Sequence, residues 1–330
     1  MVELIVSKAD EGQTAIKYLQ RFLKEAPTSF FYKMMRKKNI VLNGKKIEGN
    51  EKLKENDSLK LFVSDDTIAL FSGNADFDTK EFEKAFNELK EPEVVYEDKH
   101  ILIINKPVGL LSQKSKDVDV SCNEWLIGYL LNKKEISPAS LNSFKPSVCN
   151  RLDRNTGGLL LFGKTVFGTN TLNKLLRERT VHKYYRTVVS GKIESELNIK
   201  GFLFKDETNN KVHISGTKLN DQYEYIETEY KPLRYNEKLD ITELEVLLVT
   251  GKPHQIRAHL ASEGHPIIGD VKYGSKKSFG LKHQLLFAQR IEFPELSDYP
   301  EISQKSFQID LKDIFDKYFK SIEPTLISLS

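Results

Sequence analysis

From Val94 onward the chain is a succession of short, apolar, strand-like runs, and no other feature restricts its fold as much. Ile101 to Ile104, Gly158 to Phe162, Tyr184 to Val189 and Leu244 to Val249 carry the pattern, with few long helical periodicities between them. Residues 93–330 are therefore expected to form one large, mostly antiparallel β-rich domain of an α+β chain. From about residue 295, Phe307, Ile309, Leu311, Ile314 and Phe315 read as a closing strand and helix packed on that domain.

The amino-terminal part has a different grammar. Ile16, Leu19, Phe22 and Leu23 fall at helical spacing, and a second helix starting near Ser29 turns Phe31, Met34 and Met35 inward. Ile40 to Ile47 then places Asn43-Gly44 between two short runs, which predicts a hairpin because both residues tolerate positive φ. Leu59, Leu61 and Val63 alternate as a further strand. Residues 1–64 thus read as a small α+β module. Lys33, Arg36, Lys37, Lys38, Lys45 and Lys46 gather on its second helix and hairpin, with no acid between residues 33 and 47. Such a cluster suits phosphate contact. The basic helix, the "VLNGKKI" hairpin and the "KLKENDSLKL" ending resemble the alpha-L RNA-binding domain shared by a ribosomal protein and tyrosyl-tRNA synthetases. Residues 65–92 read as a linker with an acidic shift (Asp76, Asp78, Glu81, Glu83, Glu88) and one amphipathic helix carrying Phe82, Phe86 and Leu89.

Bulk properties narrow the classes. The chain has 330 residues, a net charge of +3 and two cysteines, Cys122 and Cys149. That argues against a disulfide scaffold, and no Cys/His group has zinc-site spacing. No run approaches the ~20 apolar residues of a membrane span, so the expected location is the cytoplasm. His254, His259 and Asp270 give no compact ligand set, and no cofactor is expected. Cys149 lies near Asp153 in sequence but has no evident partner to activate it, and reads as a buried structural thiol.

The segment Asn150-Arg151-Leu152-Asp153-Arg154-Asn155-Thr156-Gly157-Gly158 sets one acid between two arginines, in a polar loop that feeds an apolar strand. A neighbouring arginine favours the ionised carboxylate, which then serves as nucleophile or base. Charge spacing alone favours a solvated turn aspartate, since structural ion pairs are commoner than catalytic ones. The segment, however, resembles the "RLD" block of the RluA/RluC/RluD type of RNA pseudouridine synthase. Three further blocks stand in that family's order: "YEDKHILIINKPVGLLS" at 96–112, "VHKYYRTVVSG" at 181–191 and "TGKPHQIRAHLASEGHPIIGDVKYG" at 250–274.

The resemblance implies a cofactor-free isomerase that detaches uracil from ribose, rotates it and rejoins it through a ring carbon. It makes Asp153 the essential carboxylate, Tyr185 the aromatic residue at the target base and Arg257 the cation paired with Asp153. Whether the carboxylate attacks the sugar or removes a sugar proton stays open. A stacked base is out of reach of such a site, so the uridine must be flipped or presented from a loop. Arg151, Arg154, Lys183, His254 and Lys272 are then candidate RNA contacts around the opening, although Lys183 and Lys272 read equally well as solvated charges. The implied partner is structured RNA, ribosomal in preference to transfer RNA, with no obligate protein partner evident. Other readings are an idle RNA-binding ribosome-assembly factor and a carboxylate hydrolase, the latter lacking a second acid in a pairing motif. The chain departs from the family pattern at Asn150 (often His), Gly157 (often Ser), Lys252 (often Arg), His283 (often Arg) and Phe287 (often His).

Overall fold

The computed structural model describes residues 1–72, 78–89, 91–142, 144–206 and 211–319. Chain contacts divide it into two compact units. One holds Met1–Lys106, Leu110–Arg151 and Leu160–Arg177; the other holds Pro107–Gly109, Leu152–Leu159 and the chain from Glu178. The boundaries expected at residues 64 and 92 do not coincide with this division.

The first unit opens with β1 (Val2–Ile5), α1 (Ala15–Phe22), α2 (Thr28–Arg36), β2 (Ile40–Leu42), β3 (Lys45–Lys46) and β4 (Ser58–Leu61). The strands form an antiparallel sheet in the order β1-β4-β2-β3. Both helices bury one face on it, where Ala15, Leu19, Leu23, Phe31 and Met35 meet Ile40, Leu59 and Leu61. Each large side chain so buried contributes roughly 1.5–3 kcal/mol. The expected hairpin is present, with φ of 50° at Asn43 and 76° at Gly44, the paired positive values that a two-residue turn of matching twist requires. Strand β1 has no turn signal before it and exposes half its residues, so only its pairing with β4 defines it.

The linker carries two helices where one was expected: α3 (Asp65–Ser72) and α4 (Lys80–Glu88). Asp76 lies outside the described residues. Ile68 and Phe71 of α3 pack on the amino-terminal core, with the Phe71 ring 4.9 Å from Phe30. Helix α4 packs on a later helix of the same unit, described next. There follow β5 (Glu93–Glu97), β6 (Ile101–Lys106), α5 (Cys122–Asn132), β7 (Ser147–Val148), β8 (Gly157–Gly163) and α6 (Val166–Glu178). Helix α5 begins with a reciprocal cap in which Ser121 accepts from the Asn123 amide and donates to Glu124. Gly128 of α5 meets α4: a Cβ there would stand 2.3 Å from the Phe82 carbonyl oxygen, so only glycine permits the approach. Strand β8 is buried along its whole length, which is why its sequence is apolar without alternation.

In the second unit β9 (His182–Ser190), β10 (Leu197–Asp206), β11 (Lys211–Ser215), β12 (Glu224–Asn236), β13 (Ile241–Leu248), α7 (Gln255–Ser262), β14 (Leu286–Glu292), β15 (Ser306–Gln308) and α8 (Lys312–Asp316) follow in order. The strands run β11-β10-β12-β13-β9-β14, antiparallel throughout, and β15 joins β14. The first residues of β8 add to β14 in parallel, through Gly157 and Gly158. Helix α7 lies on one face, where Ala258 packs with Leu203, Val212 and Ile226. On the other face the fully buried Glu243 binds Arg186 at 2.5 Å and also Arg234, which reaches Asp316 of α8 at 2.7 Å. Ile309, Leu311 and Phe315 are buried, as the closing segment requires. No helix among the described residues is long and apolar enough to cross a membrane.

Candidate active site

Asp153 occupies the turn that enters β8. Its carbonyl accepts the Thr156 amide at 3.0 Å, and the carbonyl of Arg154 accepts the Gly109 amide at 2.8 Å, so the loop is tied down on both sides of the acid. Its side chain is one-quarter exposed. Arg257, on α7, donates Nη1 to Asp153 Oδ2 at 3.0 Å. The rest of its guanidinium is engaged by Asp270: Nε to Oδ2 at 2.7 Å and Nη2 to Oδ1 at 2.9 Å. Asp270 and Arg257 are both buried, and this bidentate pair fixes the plane of the guanidinium while turning Nη1 toward Asp153. Among the described residues every contact to the Asp153 carboxylate is made to Oδ2, which leaves Oδ1 without a partner.

His254 closes a second side. It stands at the start of α7 in a left-handed conformation, φ 55°, with Nε2 4.0 Å from Asp153 Oδ2 and Nδ1 2.8 Å from the Tyr273 hydroxyl. That hydroxyl also accepts the Val212 amide at 3.2 Å. Burial pulls the His254 pKa down, with Arg257 and Lys272 acting the same way and Asp153 opposing, so the ring is held neutral. Tyr273 also stacks beneath Arg257, with the guanidinium carbon 5.0 Å from the ring centre.

Tyr185 lies on β9 between Val246 and Ala288 and is 5% exposed. Burial, then the negative charge of Asp153, raises its pKa above the usual tyrosine value. The ring is thus a neutral phenol at physiological pH, suited to stacking and hydrogen bonding and poorly suited to acting as an anionic base.

A part-exposed carboxyl group, a buried guanidinium that holds it and an aromatic ring beside them form a site for covalent or proton-transfer chemistry. Residues 100–262 match the family described as RNA pseudouridylate synthase. A protein of Mycoplasma capricolum named "Uncharacterized RNA pseudouridine synthase" is 31% identical over 90% of this chain and 93% of its own. The chain belongs to the RNA pseudouridylate synthase family. "Ribosomal large subunit pseudouridine synthase C" of Vibrio cholerae is 30% identical over 86% of this chain and 85% of its own. Among solved structures, "Human RNA Pseudouridylate Synthase Domain Containing 4" shares the fold with a TM-score of 0.52, at 19% identity, over 73% of this chain and 95% of that one. The chain is an RNA pseudouridine synthase of the RluA/RluC type, and RNA is its substrate.

The structure brings Asp153, Tyr185, Arg257 and His254 into one site. Arg151 and Arg154 flank Asp153 in the chain and are exposed. Lys183 is half-buried on β9, and Lys272 is exposed but close enough to act on His254. Lys33, Arg36, Lys37, Lys38, Lys45 and Lys46 are all exposed on α2, the bend after it and the β2–β3 hairpin. The structural role of Asp270 and Tyr273 was not assigned from sequence, although both stand in the "GDVKYG" stretch. The available signal was an acid set against a glycine in the block that also holds Arg257. Cys149 is half-buried, and burial pushes its thiol pKa up to about 12, which fits an unreactive thiol.

The departures from the family pattern have local accounts. Asn150 Oδ1 accepts the Leu161 amide at 2.7 Å and pins the loop to β8. Gly157 and Phe287 are cross-strand partners, and a Cβ on Gly157 would fall 2.6 Å from the Phe287 ring. The two substitutions fit one another: the larger ring fills the space that the smaller residue leaves. His283 Nδ1 lies 3.0 Å from Asn155 Nδ2 and so braces the catalytic loop.

Proposed function

We propose that this enzyme isomerises uridines of large-subunit ribosomal RNA with Asp153 as the reacting carboxylate. The observation that carries the reading is the asymmetry of that carboxylate: Oδ2 is held by Arg257 while Oδ1 has no partner among the described residues. The guanidinium fixes the orientation of the carboxylate, and the oxygen left without a partner is the one that meets the sugar, at its anomeric carbon or at the neighbouring proton.

Either opening frees uracil as an anion. Tyr185 holds the base by stacking while it rotates, and His254 Nε2, 4.0 Å from Asp153 Oδ2, borders the reacting carboxylate. The ring carbon bonds the anomeric carbon, displacing the carboxylate or with Asp153 returning the sugar proton it took; the ring-carbon proton is then lost to solvent while the freed ring nitrogen takes one up, so Asp153 is regenerated with no net redox change. Arg257 stays cationic and positions the acid. The ribosomal target is supported by the likeness to enzymes named for the large subunit, and it places the work in the cytoplasm. The exposed cations of α2 and the β2–β3 hairpin support a role for the amino-terminal module in holding RNA through its phosphates.

The test is to incubate the protein with unmodified large-subunit, small-subunit and transfer RNA and map pseudouridine by carbodiimide labelling and primer extension. Product at defined uridines of large-subunit RNA alone is expected. Product only in transfer RNA would overturn the substrate assignment and leave the chemistry standing.

A further inference from the structure

The first turn of α7 is tied to the sheet by one buried carboxamide. Gln255 is 2% exposed, and its Nε2 donates to the Glu227 carbonyl at 3.0 Å and to the Thr228 hydroxyl at 2.9 Å, both on β12. Its Oε1 accepts the Thr250 hydroxyl at 2.9 Å and the Lys252 amide at 3.1 Å. The Gln255 amide in turn donates to the Lys252 carbonyl at 3.1 Å. Side chain and backbone thus close the loop between β13 and α7 reciprocally, much as the glutamine of a capping box reaches back to an amide three residues earlier. The backbone partners assign the two ends of the carboxamide: the Glu227 carbonyl accepts only from its nitrogen, and the Lys252 N–H donates only to its oxygen.

The residue so held stands between the two that approach Asp153. His254 precedes it directly, at φ 55°, a left-handed backbone that non-glycine residues keep only where their surroundings impose it. Arg257 follows two residues later and gives Nη1 to Asp153. We infer that Gln255 is a positioning residue of the isomerisation, holding His254 in its left-handed conformation and aiming Arg257 at Asp153. The inference rests on the reading of Asp153 as the reacting carboxylate. No close substitute does the same work. Methionine fills a similar volume without a donor, and glutamate sets an acceptor where the Glu227 carbonyl needs a donor. With the carboxamide gone the Lys252 amide and the Glu227 carbonyl lose their partner, and the first turn of α7 is free to shift. A displacement of about 1 Å at a reacting centre costs up to about a hundredfold in rate.

The full-length protein is tested as wild type, Gln255→Met, Thr250→Val, Ile127→Val and Asp153→Asn. Thr250→Val takes one bond from Oε1, and Ile127, buried with Phe82 and Leu141, is a control for lost stability alone. Single-turnover product formation, RNA Kd and the urea midpoint are measured for each, and the His254 imidazole is titrated by proton NMR. Gln255→Met is expected to slow product formation roughly 10- to 100-fold with Kd within about threefold of wild type, and Thr250→Val to slow it roughly threefold. Both are expected to move the His254 midpoint up from its lowered value toward that of an ordinary histidine. Ile127→Val is expected to lower the urea midpoint while rate and His254 midpoint stay at wild-type values. A wild-type rate and His254 midpoint in both α7 variants overturn the inference, and so does a slower rate with the His254 midpoint unmoved. Should Gln255→Met fail to fold, Thr250→Val decides by the same two readings. Should Asp153→Asn keep its product, the reading of Asp153 fails and the His254 midpoint decides alone: a rise upholds Gln255 as the residue that holds His254, and no rise sinks it.

Discussion

At the scale of single residues, the site depends on groups that never touch the sugar. Asp270 holds Nε and Nη2 of the guanidinium so that Nη1 points at Asp153. Removing one partner of a buried ion pair commonly costs about 3–5 kcal/mol, here moderated because Asp153 remains. Asp270→Asn is therefore expected to lower kcat at least tenfold while KM changes little, and to reduce the urea midpoint; an unchanged kcat would contradict the positioning role. A second residue-scale expectation concerns His259, which is fully buried. Its Nδ1 shares a hydrogen bond with the Thr228 hydroxyl at 3.1 Å, and its Nε2 has no hydrogen-bond partner among the described residues. Burial lowers its pKa from 6.5 to about 4, so the neutral ring is favoured by folding. Its contribution is whole above pH 6.5 and is lost as the pH falls through that window toward about 4, at up to roughly 1.4 kcal/mol per pH unit. Urea unfolding of wild type and His259→Leu from pH 7 to 4 measures this: wild type is expected to lose stability more steeply than the variant, and parallel curves would rule it out.

At the scale of elements, what was legible in the sequence was period and punctuation. The Asn43-Gly44 hairpin, the buried run of β8 and the closing strand and helix follow directly from turn chemistry and apolar spacing. Strand β1 was not legible, because a half-exposed run becomes a strand only when a distant partner, β4, pairs with it. The packing of α4 on α5 was hidden for the same reason: it depends on Gly128, whose missing side chain has meaning only once Phe82 lies across it. Between β8 and β14 the coupled residues Gly157 and Phe287 offer an element-scale test. Gly157→Ser drives a side chain into the Phe287 ring and is expected to cost about 1–3 kcal/mol. Pairing it with Phe287→Leu is expected to recover part of that loss in a double-mutant cycle; strictly additive losses would show that the two positions are independent.

At the scale of the whole molecule, the near-neutral total conceals a division of labour. The net charge is only +3, yet Lys33, Arg36, Lys37, Lys38, Lys45 and Lys46 form an exposed cluster on one small module. Replacing Lys37, Lys38, Lys45 and Lys46 by Gln is expected to weaken RNA binding at least tenfold and to flatten its salt dependence, because every phosphate that a lysine neutralises adds about 0.7–0.9 to the slope. Unaltered binding would assign the cluster to solvent. The candidate site residues Asp153, Tyr185 and Arg257 were legible only through the resemblance of four ordered blocks to a known family, because an acid between two arginines and a tyrosine in a strand read alone as a turn and a core residue. The identity of the RNA was not legible, because backbone contacts carry affinity and shape carries choice. The most direct test of the central claim compares wild type with Asp153→Asn on large-subunit RNA, measuring binding and single-turnover pseudouridine formation on the same samples. Binding within about threefold of wild type with product reduced by ~10⁴ or more is the predicted result; substantial product from Asp153→Asn would show that another group performs the chemistry.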